Sequence, residues 1–462
     1  MKIMIKKTSA LAISILFFIL IISLSIYLSG IPLYFSNTSW SFGFILLIIL
    51  IYILRYINQI PQANLYSIFY ISFLLFIGGR FIATIFNPDT DTFLLDFFIT
   101  YRLDNLGITK LVFTIIIALT SMELGLYFAQ VNKNAIVTQN KLFKREKKLS
   151  NIIVLTSILI IVALTILLLK QNLALVSKLG YMALYASQGE AIQASWTSLL
   201  LTFTYVFLGI TLTHSSKKIK LFYLVLFGIN CIIQALMGVR GAIVIYLLFL
   251  LWIKHDYGQK QPNLLSLGLF LASILGFLNF ILPIFSIRSI STDDSLMLQI
   301  SSFFYNQGNS LMIFDASTKI DNYSIIPAIQ SFLPGSSYLI SLINHNLPNY
   351  YISFGRYLSY QLNPSLYNQG FGTGWSLLSD FYVFSGGFIL LFSAYNFIWG
   401  WFINKLEILS IHNQTYKRIL ITIAPSIIFI PRAGISSIIP LIIYAMVIYI
   451  ILSGFSKKKP SI

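Results

Sequence analysis

The chain has 462 residues, of which 57% are hydrophobic and only 10% charged, and its mean hydropathy is +0.83. That composition excludes an ordinary water-soluble domain. A single cysteine, Cys231 in an apolar run, excludes a disulfide framework and a cysteine metal site. The net charge of +17 does not point to nucleic acid, because the lysines sit in short polar breaks between long apolar runs.

Those runs are long and unbroken, which predicts membrane helices rather than the alternating segments of an outer-membrane barrel. The fold class expected is all-α, a polytopic transmembrane helical bundle forming one integral membrane domain over 1–462. The first run, Leu11 to Gly30, is too long for a signal-peptide core and lacks a small-x-small cleavage pattern, so it reads as a retained span. A span of roughly 20 residues gives about twelve helices, near 9–29, 39–58, 64–86, 106–130, 150–169, 196–213, 220–237, 241–253, 263–283, 376–400, 417–431 and 435–454. Lysine-rich breaks such as "NKLFKREKKLS" and "HSSKKIK" mark the cytoplasmic side, which places both termini there. Residues 284–375, rich in Tyr, Asn, Ser, Gly and Pro, form one large non-cytoplasmic loop, long enough to be functional. Its apolar stretches "SLMLQISSFFY" and "SYLISLI" read as helices lying over the bundle.

Arginines gather at the loop-bearing edge of the bundle, where most of the acidic residues also lie. Arg240, in "CIIQALMGVRGAIVIY", falls at an outer turn where Gly238 and Gly241 let two short helices fold back on each other. Arg80 in "FIGGRFIATIF" and Arg432 in "FIPRAGISS" repeat the device, each beside glycine or proline, and Arg356 lies in the loop. Guanidinium suits bidentate binding of phosphate or pyrophosphate. Anchoring to headgroups is the simpler reading of each arginine alone. Arg102 beside Asp104, and Arg288 near Asp293, read as ion pairs. Glu123, deep in the fourth span, reads as the buried partner of Arg55 or as a helix-packing hydrogen bond.

Three stretches carry a family resemblance. "LMGVRGAIVIY" resembles the Gly-x-Arg element of bacterial Wzy-type oligosaccharide repeat unit polymerases. "NQGFGTGWSLLSDFYVFSGGFILLFSAYNFIWG" is similar to that family's Gly-rich approach to a span after the large loop, and "PRAGISSIIPLIIY" to its penultimate arginine element. The resemblance implies a membrane glycosyltransferase of the GT-C type with a periplasmic site. It would transfer a growing glycan from undecaprenyl pyrophosphate to the non-reducing end of a lipid-linked repeat unit. It also implies undecaprenyl-pyrophosphate-linked oligosaccharide and membrane lipids as partners, with a separate chain-length regulator. No nucleotide sugar or other cofactor is expected.

Leaving pyrophosphate develops negative charge, which preorganised guanidinium stabilises. Arg240 and Arg432 are the first candidates for that role. Arg80, Arg356 and the glycines Gly238, Gly241, Gly372 and Gly374 are candidates for substrate binding. His345 and Asp380 compete as the base for the acceptor hydroxyl; His345 is equally an ordinary loop histidine, and Asp380 an ion-pair partner for Arg240 or Arg432. The acidic pairs Asp89–Asp91 and Asp293–Asp294 read as solvated loop residues, so no metal is expected. Tyr350, Tyr351, Tyr357, Tyr360 and Tyr367 crowd the loop, as sugar-stacking rings or as an interfacial belt. A flippase or transporter would carry its charges near the bilayer midplane, and an O-antigen ligase would share the architecture with a different acceptor.

Overall fold

The computed structural model describes residues 7–131, 151–173, 196–237, 239, 241–256, 268–270, 273, 276, 295–343 and 347–456. Two long apolar helices open the chain, α1 (Lys7–Ser29) and α2 (Asn37–Ile57), the second capped by the Ser36 hydroxyl. A bent pair follows, α3 (Leu65–Phe76) and α4 (Gly79–Phe86), and then a hairpin of β1 (Leu94–Phe97) and β2 (Ile99–Arg102). The bundle continues with α5 (Asn105–Val131), α6 (Asn151–Leu167), α7 (Trp196–His214), α8 (Lys217–Leu236) and α9 (Gly241–Asp256). Short helices then make up the large loop: α10 (Leu296–Gln307), α11 (Ser310–Thr318), α12 (Ile325–Phe332), α13 (Ser336–Ile343), α14 (Phe354–Leu362) and α15 (Pro364–Asn368). The chain re-enters the bundle through α16 (Leu377–Phe384), α17 (Ile389–His412), α18 (Gln414–Phe429) and α19 (Ile439–Ser456).

The protein is therefore an all-α membrane protein with one two-stranded ribbon. Among the described residues five helices are long and apolar enough to cross a membrane, or six if the bent pair counts as one span. Two expected spans are interrupted, and a third ends two residues early. The 64–86 run bends by 58° between α3 and α4, because a glycine pair there admits other backbone at very close range. A Cβ on Gly78 would lie 2.8 Å from the Leu74 carbonyl oxygen, and one on Gly79 only 2.6 Å from that of Phe304 on α10. The 376–400 run breaks at Gly386 and Gly387, whose φ values of 59° and 76° close α16 in a Schellman turn. Its hydrogen bonds run from Gly387 N–H to the Tyr382 carbonyl and from Gly386 N–H to that of Val383. The expected span near 417–431 ends early, at Phe429, where Pro431 turns the chain into two 3₁₀ turns before α19. The expected span near 263–283 lies almost wholly outside the described residues.

Glycine also sets the tightest helix pair. A Cβ on Gly400 of α17 would sit 2.0 Å from the Met122 carbonyl oxygen, and one on Gly125 of α5 2.1 Å from that of Phe397. Small residues at such a crossing let two backbones touch where no water drives association. Beside this crossing Arg55 and Glu123 form the expected buried ion pair, with exposures of 1% and 0%. Arg55 Nε donates to Glu123 Oε2 at 3.0 Å, Tyr66 donates to Oε1 at 3.0 Å, and the guanidinium lies 4.2 Å from the centre of the Tyr70 ring.

Removing one member of such a pair strands a charge in apolar surroundings. Glu123→Ala is expected to lower stability by about 3–5 kcal/mol, whereas Glu123→Leu combined with Arg55→Met recovers most of the loss. Thermal unfolding of the detergent-solubilised proteins checks both.

Candidate functional site

The site is assembled at the loop-bearing end of the bundle, around the turn Gln307-Gly308-Asn309 between α10 and α11. Gly308 rests on the α4 backbone so closely that a Cβ on it would meet the Arg80 nitrogen at 2.4 Å. This contact carries Asn309 to Arg80, whose Nη2 donates to Asn309 Oδ1 at 2.9 Å. Arg80 is fully buried, and Nη1 also reaches the carbonyls of Thr92 and Leu94 while Nη2 faces Asp96 at 3.4 Å. The Tyr305 ring covers the guanidinium at 4.1 Å. Arg80 thus ties α4, the hairpin and α10 together, with its charge answered inside the protein.

Arg432 approaches the same turn from the other side. It is half-buried, donates through Nη1 to Gln307 Oε1 at 3.2 Å, and lies 5.7 Å from the Phe76 ring centre. Phe76 in turn meets Phe429 edge-on at 5.6 Å. A Cβ on Gly241 would touch that same Phe429 ring at 3.2 Å, so the start of α9 abuts the end of α18. Gly241, which directly follows the Gly-x-Arg element in sequence, is therefore close to the Arg432 element. Arg240 itself, with Gly238 and His345, lies outside the described residues, as do Arg288, Asp293 and Asp294.

Asp380 is 1% exposed and works as a clasp. Oδ1 accepts from Trp375 Nε1 at 2.7 Å and Oδ2 accepts from the Ile435 amide at 2.5 Å. Its carboxylate thereby holds the loop that carries Arg432. Gly434 is the residue that lets the carboxylate in, since a Cβ there would lie 2.7 Å from Oδ2.

Trp375 reaches Asp380 because the Gly-rich approach is pinned to α14. Thr373 N–H donates to Ser359 Oγ at 3.0 Å, and a Cβ on Gly355 would sit 2.9 Å from the Gly374 carbonyl oxygen. Gly374, at φ 82°, turns the chain there, while Gly372 has open space around it. Trp375 then stacks on Phe354 with ring centres 5.5 Å apart. Arg356, half-buried on the same short helix, has no side-chain hydrogen bond or ion pair among the described residues. Beside it the loop tyrosines form one cluster, with Tyr350 and Tyr360 stacked at 3.9 Å and Tyr367 edge-on to Tyr360 at 5.8 Å.

One ion-pair reading changes, and with it the reading of one loop acid. Arg102 pairs with Asp91 at 2.8 Å rather than with Asp104, because Asp104 Oδ1 caps α5 through the Gly107 amide at 2.9 Å. Asp91 is accordingly no free loop acid, and it also accepts from Asn37 Nδ2 at 3.1 Å. Gln307, Asn309 and Trp375 were not legible as site residues from the pattern of charges. The polar turn "NQGN" inside an otherwise apolar run was the one available signal.

Two arginines on one turn and a buried carboxylate clasp thus lie at the loop-bearing end of a multi-pass membrane helical bundle. The chain belongs to the O-antigen polysaccharide polymerase Wzy family, whose description matches residues 11–459. It is accordingly a polymerase of the glycosyltransferase type acting on lipid-linked oligosaccharide in a membrane. No curated protein and no solved structure gives a significant match.

Filling the gap at Gly434 forces the Asp380 carboxylate off the Ile435 amide. Gly434→Ala is expected to cut polymer yield about tenfold, the equivalent of about 1.4 kcal/mol, with unchanged amounts of protein in the membrane. Quantified glycan ladders alongside immunoblots of the membrane fraction check this.

Proposed function

We propose that the growing glycan is transferred from undecaprenyl pyrophosphate to the non-reducing-end sugar of a second lipid-linked repeat unit, at the periplasmic, loop-bearing end of the bundle. The observation carrying this reading is that Arg432, against Phe76, and Gly241, against Phe429, close on two touching rings beside the Gln307 turn, and Gly241 directly follows the Gly-x-Arg element in sequence. In the transfer a new C–O bond forms between the acceptor hydroxyl oxygen and the anomeric carbon. The bond from that carbon to the pyrophosphate oxygen breaks, and undecaprenyl pyrophosphate leaves with the electron pair. The hydroxyl proton passes to a base, for which His345 is the candidate.

Arg432 and Arg240 supply guanidinium to the departing oxygens, where developing charge makes fixed donors count more than in the ground state. Arg356 belongs with glycan or phosphate binding. Arg80, enclosed by its own partners, acts through the Gln307-Gly308-Asn309 turn as a positioning residue. Asp380 acts in the same way on the Arg432 loop, since both of its oxygens are occupied. No step in this scheme calls on a metal ion.

Purified protein supplied with lipid-linked repeat units is expected to give a glycan ladder that survives EDTA. The ladder is lost in Arg432→Lys and Arg240→Lys, since lysine retains charge without the bidentate fork. Normal polymerisation by both lysine variants would overturn the assignment of these arginines, and loss of the wild-type ladder in EDTA would overturn metal independence.

A further inference from the structure

A second polar cavity of about 440 Å³ lies at the same end of the molecule, apart from the arginine turn. It is bounded by α1, the start of α5, α11 and α16. Its volume falls within the range of small-molecule sites, about 300–1,000 Å³. Phe314 and Leu111 form apolar wall, and the phenols Tyr27 and Tyr382 present rings with polar tips. Tyr382 follows Asp380 by two residues on α16, roughly 200° around a helix, so the cavity and the Asp380 clasp lie on opposite faces of one helix.

Two polar groups there are incompletely used. Asp315 is 6% exposed, and its Oδ2 accepts both from Tyr101 at 2.6 Å and from Lys319 Nζ at 3.0 Å. Its Oδ1 has no protein donor among the described residues. Lys110 borders the cavity with no carboxylate within ion-pairing distance among the described residues, because Asp104 is turned to the Gly107 amide. Separated donors and acceptors above aromatic and apolar walls match a sugar ring, which offers hydroxyls around its edge and C–H groups on its faces. Free phosphate fits less well, since Asp104 and Asp315 both face the space, and the lysines oppose a bare metal ion.

Resting on the polymerase reading above, we propose that this cavity is a glycan subsite. It holds a sugar of the lipid-linked substrate at a distance from the bond-forming centre, with Asp315 accepting from one hydroxyl and Lys110 donating to another. Such a subsite orients one chain while the arginine turn holds the pyrophosphate of the other.

The test uses the full-length protein in phospholipid nanodiscs, with the repeat-unit oligosaccharide released from its lipid carrier as the probe and titration calorimetry as the readout. Wild type binds the fragment, and Lys110→Ala and Asp315→Asn each weaken binding about tenfold, as loss of a charged hydrogen-bond partner does. Lys110 is exposed, so its variant reports on binding even if Asp315→Asn folds poorly. Arg432→Lys, which loses the ladder, retains fragment binding. Failure of wild type to bind, or unchanged binding in Lys110→Ala, overturns the subsite while a wild-type ladder keeps the polymerase reading intact. A Lys110 effect that appears only when phosphatidylethanolamine replaces phosphatidylcholine in the nanodisc identifies the occupant as a headgroup and also overturns it. Fragment binding with no ladder from wild type sinks the polymerase reading and leaves the subsite standing.

Discussion

The contact of Gly79 with Gly308 is the constraint on which the functional end of this protein depends. Two backbones meet there at a distance that no side chain permits, and three consequences follow. The membrane run 64–86 bends, α10 lies directly on α4, and the turn after α10 falls between two arginines. Arg80 then locks the turn to the hairpin through Asn309, and Arg432 reads its other side through Gln307. A larger residue at either glycine would lift α10 and separate the two guanidinium groups from the turn they share.

The site is thus layered. Buried groups held by several protein partners, Arg80 and Asp380, set the geometry. Groups with spare capacity, Arg356, Lys110 and the second oxygen of Asp315, are the ones the proposed reading assigns to substrate. Charge alone did not separate these classes. Arg80 and Arg432 look alike in sequence, each beside glycine or proline at the edge of an apolar run, yet one is enclosed and the other only half-buried.

Much of the bundle was legible because long apolar runs report directly on the membrane, and because a lone acid in a span calls for a partner, as Glu123 finds in Arg55. The interruptions were not, since hydropathy runs unbroken through Gly78–Gly79 and Gly386–Gly387, and only packed neighbours reveal that the glycines are used to break the helix. The partner of Arg102 was missed for a local reason: Asp104, next but one in sequence, is consumed in starting α5, leaving the role to Asp91 across the hairpin. Trp375 was hidden among other aromatics, because its importance lies in a single indole N–H aimed at Asp380.

Several joints between the loop helices and the bundle end on main-chain atoms. Asp380 takes the amide of Ile435, Arg80 takes the carbonyls of Thr92 and Leu94, and Asn363 donates to the carbonyl of Phe98 at 2.9 Å. An amide or carbonyl is the same whatever side chain it bears. The joints at positions 94, 98 and 435 therefore survive an exchange of side chain there, whereas Thr92 is also tied through its hydroxyl to Thr84. A scaffold joined in this way is free to reshape the walls of its cavities for different sugars, and its sequence can drift widely around a handful of fixed donors.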